Sequence, residues 1–124
     1  MKFELARFST IRIFVKDVKE SRDWYAQLFD LNPIEDIDGF VSFNLAGTCF
    51  DIVSQDDKNP FSIGGSAGYW LVDDVDLVLK KAEMLGGKLY RGPLKVPEIQ
   101  RTIMQIQDPF GNVIGFESPT PGLS

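Results

Sequence analysis

A short motif occurs twice in this chain. Phe14-Val15-Lys16-Asp17-Val18 recurs as Leu71-Val72-Asp73-Asp74-Val75, and in each copy a β-like run gives way to a helix-like run. Self-similarity of this kind signals two copies of one supersecondary unit, and both must fit within 124 residues. The elements around each copy then have to follow the same order.

The first unit opens at Thr10, where Ile11, Ile13 and Val15 alternate with Thr10, Arg12 and Phe14, the period-two pattern of a strand. Asp17 is placed to cap a helix, and Glu20 three residues on completes a capping box. Val18, Tyr25, Leu28 and Phe29 fall near one face of that helix, with Trp24 beside it, and Asn32-Pro33 predicts its end. Strands are expected near 33–37, 40–45 and 48–53, separated by the turn signals Asp38-Gly39 and Ala46-Gly47. Residues 55–66 are polar and rich in Gly, Asn and Pro, as in a linker.

The second unit repeats the order. A strand is expected over 68–72. Asp74 then caps a helix with Val75, Val78, Ala82 and Leu85 on its inner face and Gly86-Gly87 at its end. Strands follow near 88–91, 102–107 and 113–117, with Asp108-Pro109-Phe110-Gly111-Asn112 as the last turn. The segment from 119 to 124 reads as a loose tail. The class is therefore α+β: one domain over 1–124, made of two βαβββ units at 5–54 and 67–118. Each unit alone has too little core, so the two are expected to share one or to pair with another chain.

Composition removes several function classes. Apolar residues make up 44% and charged residues 25%, as in ordinary soluble domains, and no apolar run reaches the ~20 residues of a bilayer span. Residues 1–10 lack the apolar stretch of a signal peptide, so the expected location is cytoplasmic. A net charge of −5 argues against nucleic acid, serves solubility, and is mildly compatible with a cationic ligand. The lone Cys49 can form no internal disulfide and reads as a small strand residue. The chain has no histidine, which excludes Ser-His-Asp, Cys-His and His-based metal sites.

The segments Phe14-Val15-Lys16-Asp17-Val18 with Ser21 to Leu28, Val72-Asp73-Asp74-Val75 with Leu85-Gly86-Gly87, and Asp108-Pro109-Phe110-Gly111-Asn112-Val113-Ile114 stand in an order and spacing that resemble the vicinal oxygen chelate superfamily. That group holds glyoxalases, extradiol dioxygenases, fosfomycin-resistance enzymes and metal-free bleomycin-binding proteins. The resemblance implies the glyoxalase/bleomycin-resistance fold, a curved mixed sheet around a cleft. It also implies metal-ligand positions on the first and last strand of each unit. Carried over by offset from the motifs, these fall on Thr10, Asp51, Ala67 and Gly115. Only Asp51 can ligate, and one carboxylate cannot replace a three- or four-ligand site. The expectation is no metal, no cofactor and no catalytic residue, as in the bleomycin-resistance-like branch.

Alternation assigns the faces. Ile11, Ile13, Val15, Phe50, Ile52, Trp70, Val72, Ile114 and Phe116 are expected to face the helices. Thr10, Arg12, Phe14, Cys49, Asp51, Val53, Ala67, Tyr69, Leu71, Gly115 and Glu117 face the cleft. Arg12, Phe14, Asp51, Tyr69 and Glu117 are the candidate ligand-binding residues: two aromatics for a planar ligand and two carboxylates for a cationic part. Arg12 and Asp51 either contact a ligand or pair with each other in the vacated metal site. Phe14 and Tyr69 serve either a ligand or packing, and Phe61 and Phe110 either a lid or an interface. The functional expectation is a metal-free small-molecule binder that sequesters an aromatic or cationic compound such as an antibiotic. A glyoxalase-like lyase or dioxygenase-like enzyme with an atypical site is one alternative; a structural or regulatory partner whose cleft holds no physiological ligand, closed by Arg12–Asp51 and aromatic packing, is another. The resemblance implies a homodimer, and the charge and the lack of a long apolar run lead to the expectation of no nucleic-acid or membrane partner.

Overall fold

The computed structural model describes residues 2, 4, 6–63 and 68–120. The Gly64-Gly65 part of the expected linker and the Ala67 ligand position lie outside the described residues. The chain divides into two compact units, Met1–Pro60 and Phe61–Ser124.

In the first unit, β1 (Thr10–Val15) leads into α1 (Val18–Phe29), followed by β2 (Glu35–Ile37), β3 (Phe40–Leu45) and β4 (Thr48–Ser54). Asp17 lies in extended backbone, and its carboxylate accepts the Glu20 N–H at 3.0 Å, the Asp17 half of the expected box. The helix ends earlier than Asn32-Pro33 predicts: Asp30 turns left-handed at φ 54° and Leu31 N–H donates to Ala26 O. An acidic residue takes the place usually given to glycine, since its short polar side chain tolerates that conformation.

The sheet order is β1-β4-β3-β2, with β1 and β4 parallel and the other pairs antiparallel. The parallel pair is why a helix has to intervene between its strands. On one face lie the rows Ile11–Phe50–Phe43 and Ile13–Ile52–Val41. α1 packs there through Tyr25, which is fully buried, meets Phe50 edge-on at 5.0 Å and stacks on Phe29 at 5.7 Å. Trp24 also serves this packing, edge-on to Tyr25 at 4.9 Å. Arg22 ties the helix to β2 by its ion pair to Asp36 and also pairs with Asp23 on its own helix, and its hydrogen bonds to those two carboxylates hold its proton even more firmly than usual.

The second unit repeats this plan with β5 (Tyr69–Leu71), α2 (Val75–Met84), β6 (Lys88–Val96), β7 (Arg101–Gln107) and β8 (Val113–Pro119) in the order β5-β8-β7-β6. The expected α+β class of two βαβββ units is the observed one, as two four-stranded mixed sheets. Asp74 caps α2 by accepting the Asp76 N–H, and Gly87 N–H closes its end on Ala82 O at 2.8 Å. The core holds Met104, Ile106, Ile114 and Phe116 against the helix.

Two features of the second unit differ from expectation. β6 runs five residues past Arg91 to Val96, through register shifts, and is followed by a 3-10 turn at Pro97–Ile99. The first two residues of the expected tail are also held: Thr120 is buried, donates its N–H to Gln100 O, and shares a 2.7 Å hydroxyl hydrogen bond with Thr102, while residues 121–124 lie outside the described residues. The 108–112 turn forms as read. One Asp108 carboxylate oxygen accepts from both Phe110 and Asn112 N–H at 2.9 Å, and Gly111 sits at φ 101°. The Phe61 ring lies on Gly111, 2.6 Å from where a Cβ would be.

Candidate functional site

Residues paired across strands share a sheet face, so the register defines the face of the first sheet that lies away from α1. It carries three rows: Thr10–Cys49–Asn44, Arg12–Asp51–Ser42 and Phe14–Val53–Phe40. Three of the five predicted site residues, Arg12, Asp51 and Phe14, are therefore neighbours on this face. Phe40 and Ser42 belong with them and were not anticipated, although Val41, Phe43 and Leu45 alternate with Phe40, Ser42 and Asn44 and give the signal.

Of the two roles open to Arg12 and Asp51, the structure builds the mutual pair. Arg12 Nη2 and Nε both donate to Asp51 Oδ2, at 2.9 and 3.3 Å. The Asp51 side chain is 5% exposed and its Oδ1 is buried with no partner among the described residues, whereas the Arg12 side chain is 50% exposed. The guanidinium carbon lies 5.9 Å from the centre of the Phe40 ring, within cation–π range. Arg12 Nη1 has no protein acceptor among the described residues.

On the corresponding face of the second sheet, the rows are Tyr69–Gly115–Gln105 and Leu71–Glu117–Ile103. Tyr69 and Glu117, the remaining predicted site residues, are diagonal neighbours here. The Tyr69 ring covers Gly115: a Cβ there would lie 2.6 Å from Tyr69 Cδ1 and 2.7 Å from Gly68 O. Gln105 Nε2 donates to the Tyr69 hydroxyl at 2.7 Å and holds the ring in place. Glu117 Oε1 lies 4.0 Å from Arg101 Nε. Both carboxylates proposed for a cationic ligand thus already face an arginine.

The metal-ligand pattern of the resembling family does not fit these residues. Asp51 is the one strong donor at the described positions, and a cation already occupies its accessible oxygen. Gly115 offers no side chain and has no room for one. Among the described residues no cluster of three or more His, Cys, Asp or Glu could hold a metal ion.

A repeated βαβββ unit with a parallel outer pair and a helix on one face of each sheet is the class of protein these geometries define. Within that class, the chain belongs to the Glyoxalase/Bleomycin resistance protein/Dioxygenase superfamily, whose family model matches residues 7–116. Solved structures agree on the fold. A glyoxalase/bleomycin resistance protein/dioxygenase family enzyme from Burkholderia phytofirmans PsJN is 20% identical with a TM-score of 0.77, covering 92% of this chain and 99% of that one. TnmS3, an antibiotic binding protein from Streptomyces sp. CB03234, is 22% identical with a TM-score of 0.76, covering 95% and 99%. A lactoylglutathione lyase from Agrobacterium tumefaciens is 18% identical with a TM-score of 0.72, covering 92% and 94%. At these identities the likeness shows the fold alone. No curated protein matches the sequence. Among the described residues, no helix is long and apolar enough to cross a membrane.

Proposed function

We propose that this protein is a metal-free small-molecule binder of its superfamily, holding an aromatic compound against the face of the first sheet that carries Phe14 and Phe40. The Arg12–Asp51 pair carries this reading: a fixed guanidinium on the sole ligating carboxylate opposes a divalent cation at the position where relatives would bind one. Half-buried aromatic rings beside a few fixed polar groups suit a planar ligand. The antibiotic-binding protein of similar fold shows that such a scaffold supports binding without implying the same ligand.

A saturating aromatic ligand is expected to raise the melting temperature by several degrees. The corresponding stabilisation is about 2 kcal/mol at a free concentration roughly thirty times its dissociation constant. Elemental analysis of protein purified without chelator is expected to find no stoichiometric divalent metal. A full complement of metal, or no thermal shift across a broad panel of aromatics, would overturn the reading.

The reading includes a homodimer. Leu71 and Leu94 are exposed in one row of the second sheet, Leu71–Glu117–Ile103–Leu94, and supply apolar surface for a partner copy. Light scattering should return twice the chain mass; the mass of one chain at micromolar concentration would remove that element.

A further inference from the structure

We propose that Arg12 is the anchor for a carboxylate, so that the ligand class of the first sheet is a planar aromatic carboxylate rather than a cation. This rests on the reading of that face as a ligand face, and it reverses the ligand charge that the acidic composition suggests.

The argument starts from the five N–H donors of a guanidinium, which lie in one plane along two usable edges. Asp51 Oδ2 occupies the Nε/Nη2 edge at 3.3 and 2.9 Å. The Nη1/Nη2 edge keeps both Nη1 hydrogens and one on Nη2. No described residue accepts from Nη1, and the Arg12 side chain is half-exposed. Parallel donors along one edge match the two oxygens of a carboxylate. Asp51 cannot play the opposite role: Oδ2 is engaged and Oδ1 is buried, so an ammonium group has no open oxygen to reach.

Position supplies the aromatic half. The Phe14–Val53–Phe40 row adjoins the Arg12–Asp51–Ser42 row on the same face, and Phe40 already lies against the guanidinium. A ring laid on the first row would lie one row, about 7 Å along the strand, from Arg12, a span that suits a carboxylate attached directly to it. Asp51 and Phe40 fix the arginine before the ligand arrives, which lowers the ordering cost of binding. Two terms oppose this. Asp51 repels the incoming carboxylate across the guanidinium, and the chain carries a net charge of −5. The second is largely screened beyond the ~8 Å Debye length of physiological salt. The first limits the expected preference to roughly tenfold, the low end for charge-assisted hydrogen bonds.

The test uses three probes of nearly equal shape: 2-naphthoate, 2-naphthamide and 2-naphthylmethylammonium. Calorimetry on the wild-type protein should show naphthoate bound roughly tenfold more tightly than either of the others. Naphthoate should also shift the Arg12 Nε–Hε resonance. Replacing both charges together, Arg12→Gln with Asp51→Asn, leaves no buried charge unpaired and should equalise naphthoate and naphthamide. Equal affinities of the three probes for the wild-type protein, or tightest binding of the ammonium, would overturn the carboxylate assignment while leaving the aromatic-binding reading intact. Failure of all three to bind would remove the site itself. A naphthoate preference that survives the double substitution would place the anion elsewhere and refute the role of Arg12.

Discussion

Glutamate at position 115, the residue type that the family pattern would place there, is expected to destabilise the protein by about 3 kcal/mol and to bring no metal with it. The cost arises at the first side-chain atom. A Cβ on residue 115 would stand 2.6 Å from Tyr69 Cδ1, 2.7 Å from Gly68 O and 2.8 Å from Tyr69 Cε1. The ring can swing aside by giving up its hydrogen bond from Gln105, a loss of about 1 kcal/mol. The carbonyl cannot retreat so easily, because Gly68 O accepts the Gly115 N–H at 2.9 Å and belongs to the β5–β8 pairing. Gly115→Ala should therefore carry most of the loss, although alanine in a strand is ordinarily preferred over glycine. Adding Tyr69→Ala should relieve only part of it. Urea denaturation of Gly115→Ala, Gly115→Glu and the pair with Tyr69→Ala measures these steps. A neutral Gly115→Ala, or complete rescue by Tyr69→Ala, would contradict the steric account, and metal retained by Gly115→Glu would contradict the coordination account.

Gly115 also marks where the sequence stops being legible. By its offset from the motif, a glycine in place of a ligand reads as a loss. Its structural requirement comes from a tyrosine and a carbonyl some forty-five residues away in sequence, and no local pattern reports such an approach. Elements with one buried face were readable. Phe40–Leu45 and Val113–Glu117 alternate because one face is core, and the Asp17 and Asp74 caps are local chemistry. β6 was readable only in its first residues. Its side chains are mostly exposed on both faces, so no alternation marks it, and Pro93 reads as a breaker although an edge strand tolerates proline. The Arg12–Asp51 pairing followed from strand adjacency implied by the family resemblance. Which edge of the guanidinium stays free did not follow, since it depends on side-chain geometry.

Arg12→Leu is expected to cost about 3 kcal/mol, at the low end of the roughly 3–5 seen when one partner of a buried ion pair is removed. The reason lies with the partner. Asp51 is buried, one carboxylate oxygen already lacks a partner among the described residues, and both donors to the other come from Arg12. Without them a carboxylate remains enclosed by the sheet with little to solvate it. The half-exposure of the Arg12 side chain lets water enter the vacated space, which keeps the loss from growing further. Removing the other member should behave differently. Asp51→Asn leaves a guanidinium that turns to solvent and an isosteric amide, so a loss of about 1 kcal/mol is expected. The double variant Arg12→Leu/Asp51→Asn should recover more than half of the single-variant loss, because no charge is left buried. Arg12→Lys should fall between, since an ammonium keeps the charge but lacks the fork that bonds Oδ2 twice. Denaturant titrations of these four variants give the coupling energy directly. Equal losses for the two single variants, or additive losses in the double, would mean that burial of Asp51 is not what binds the pair together. The guanidinium would then not be fixed by Asp51, and a carboxylate ligand would gain no pre-ordered anchor from it.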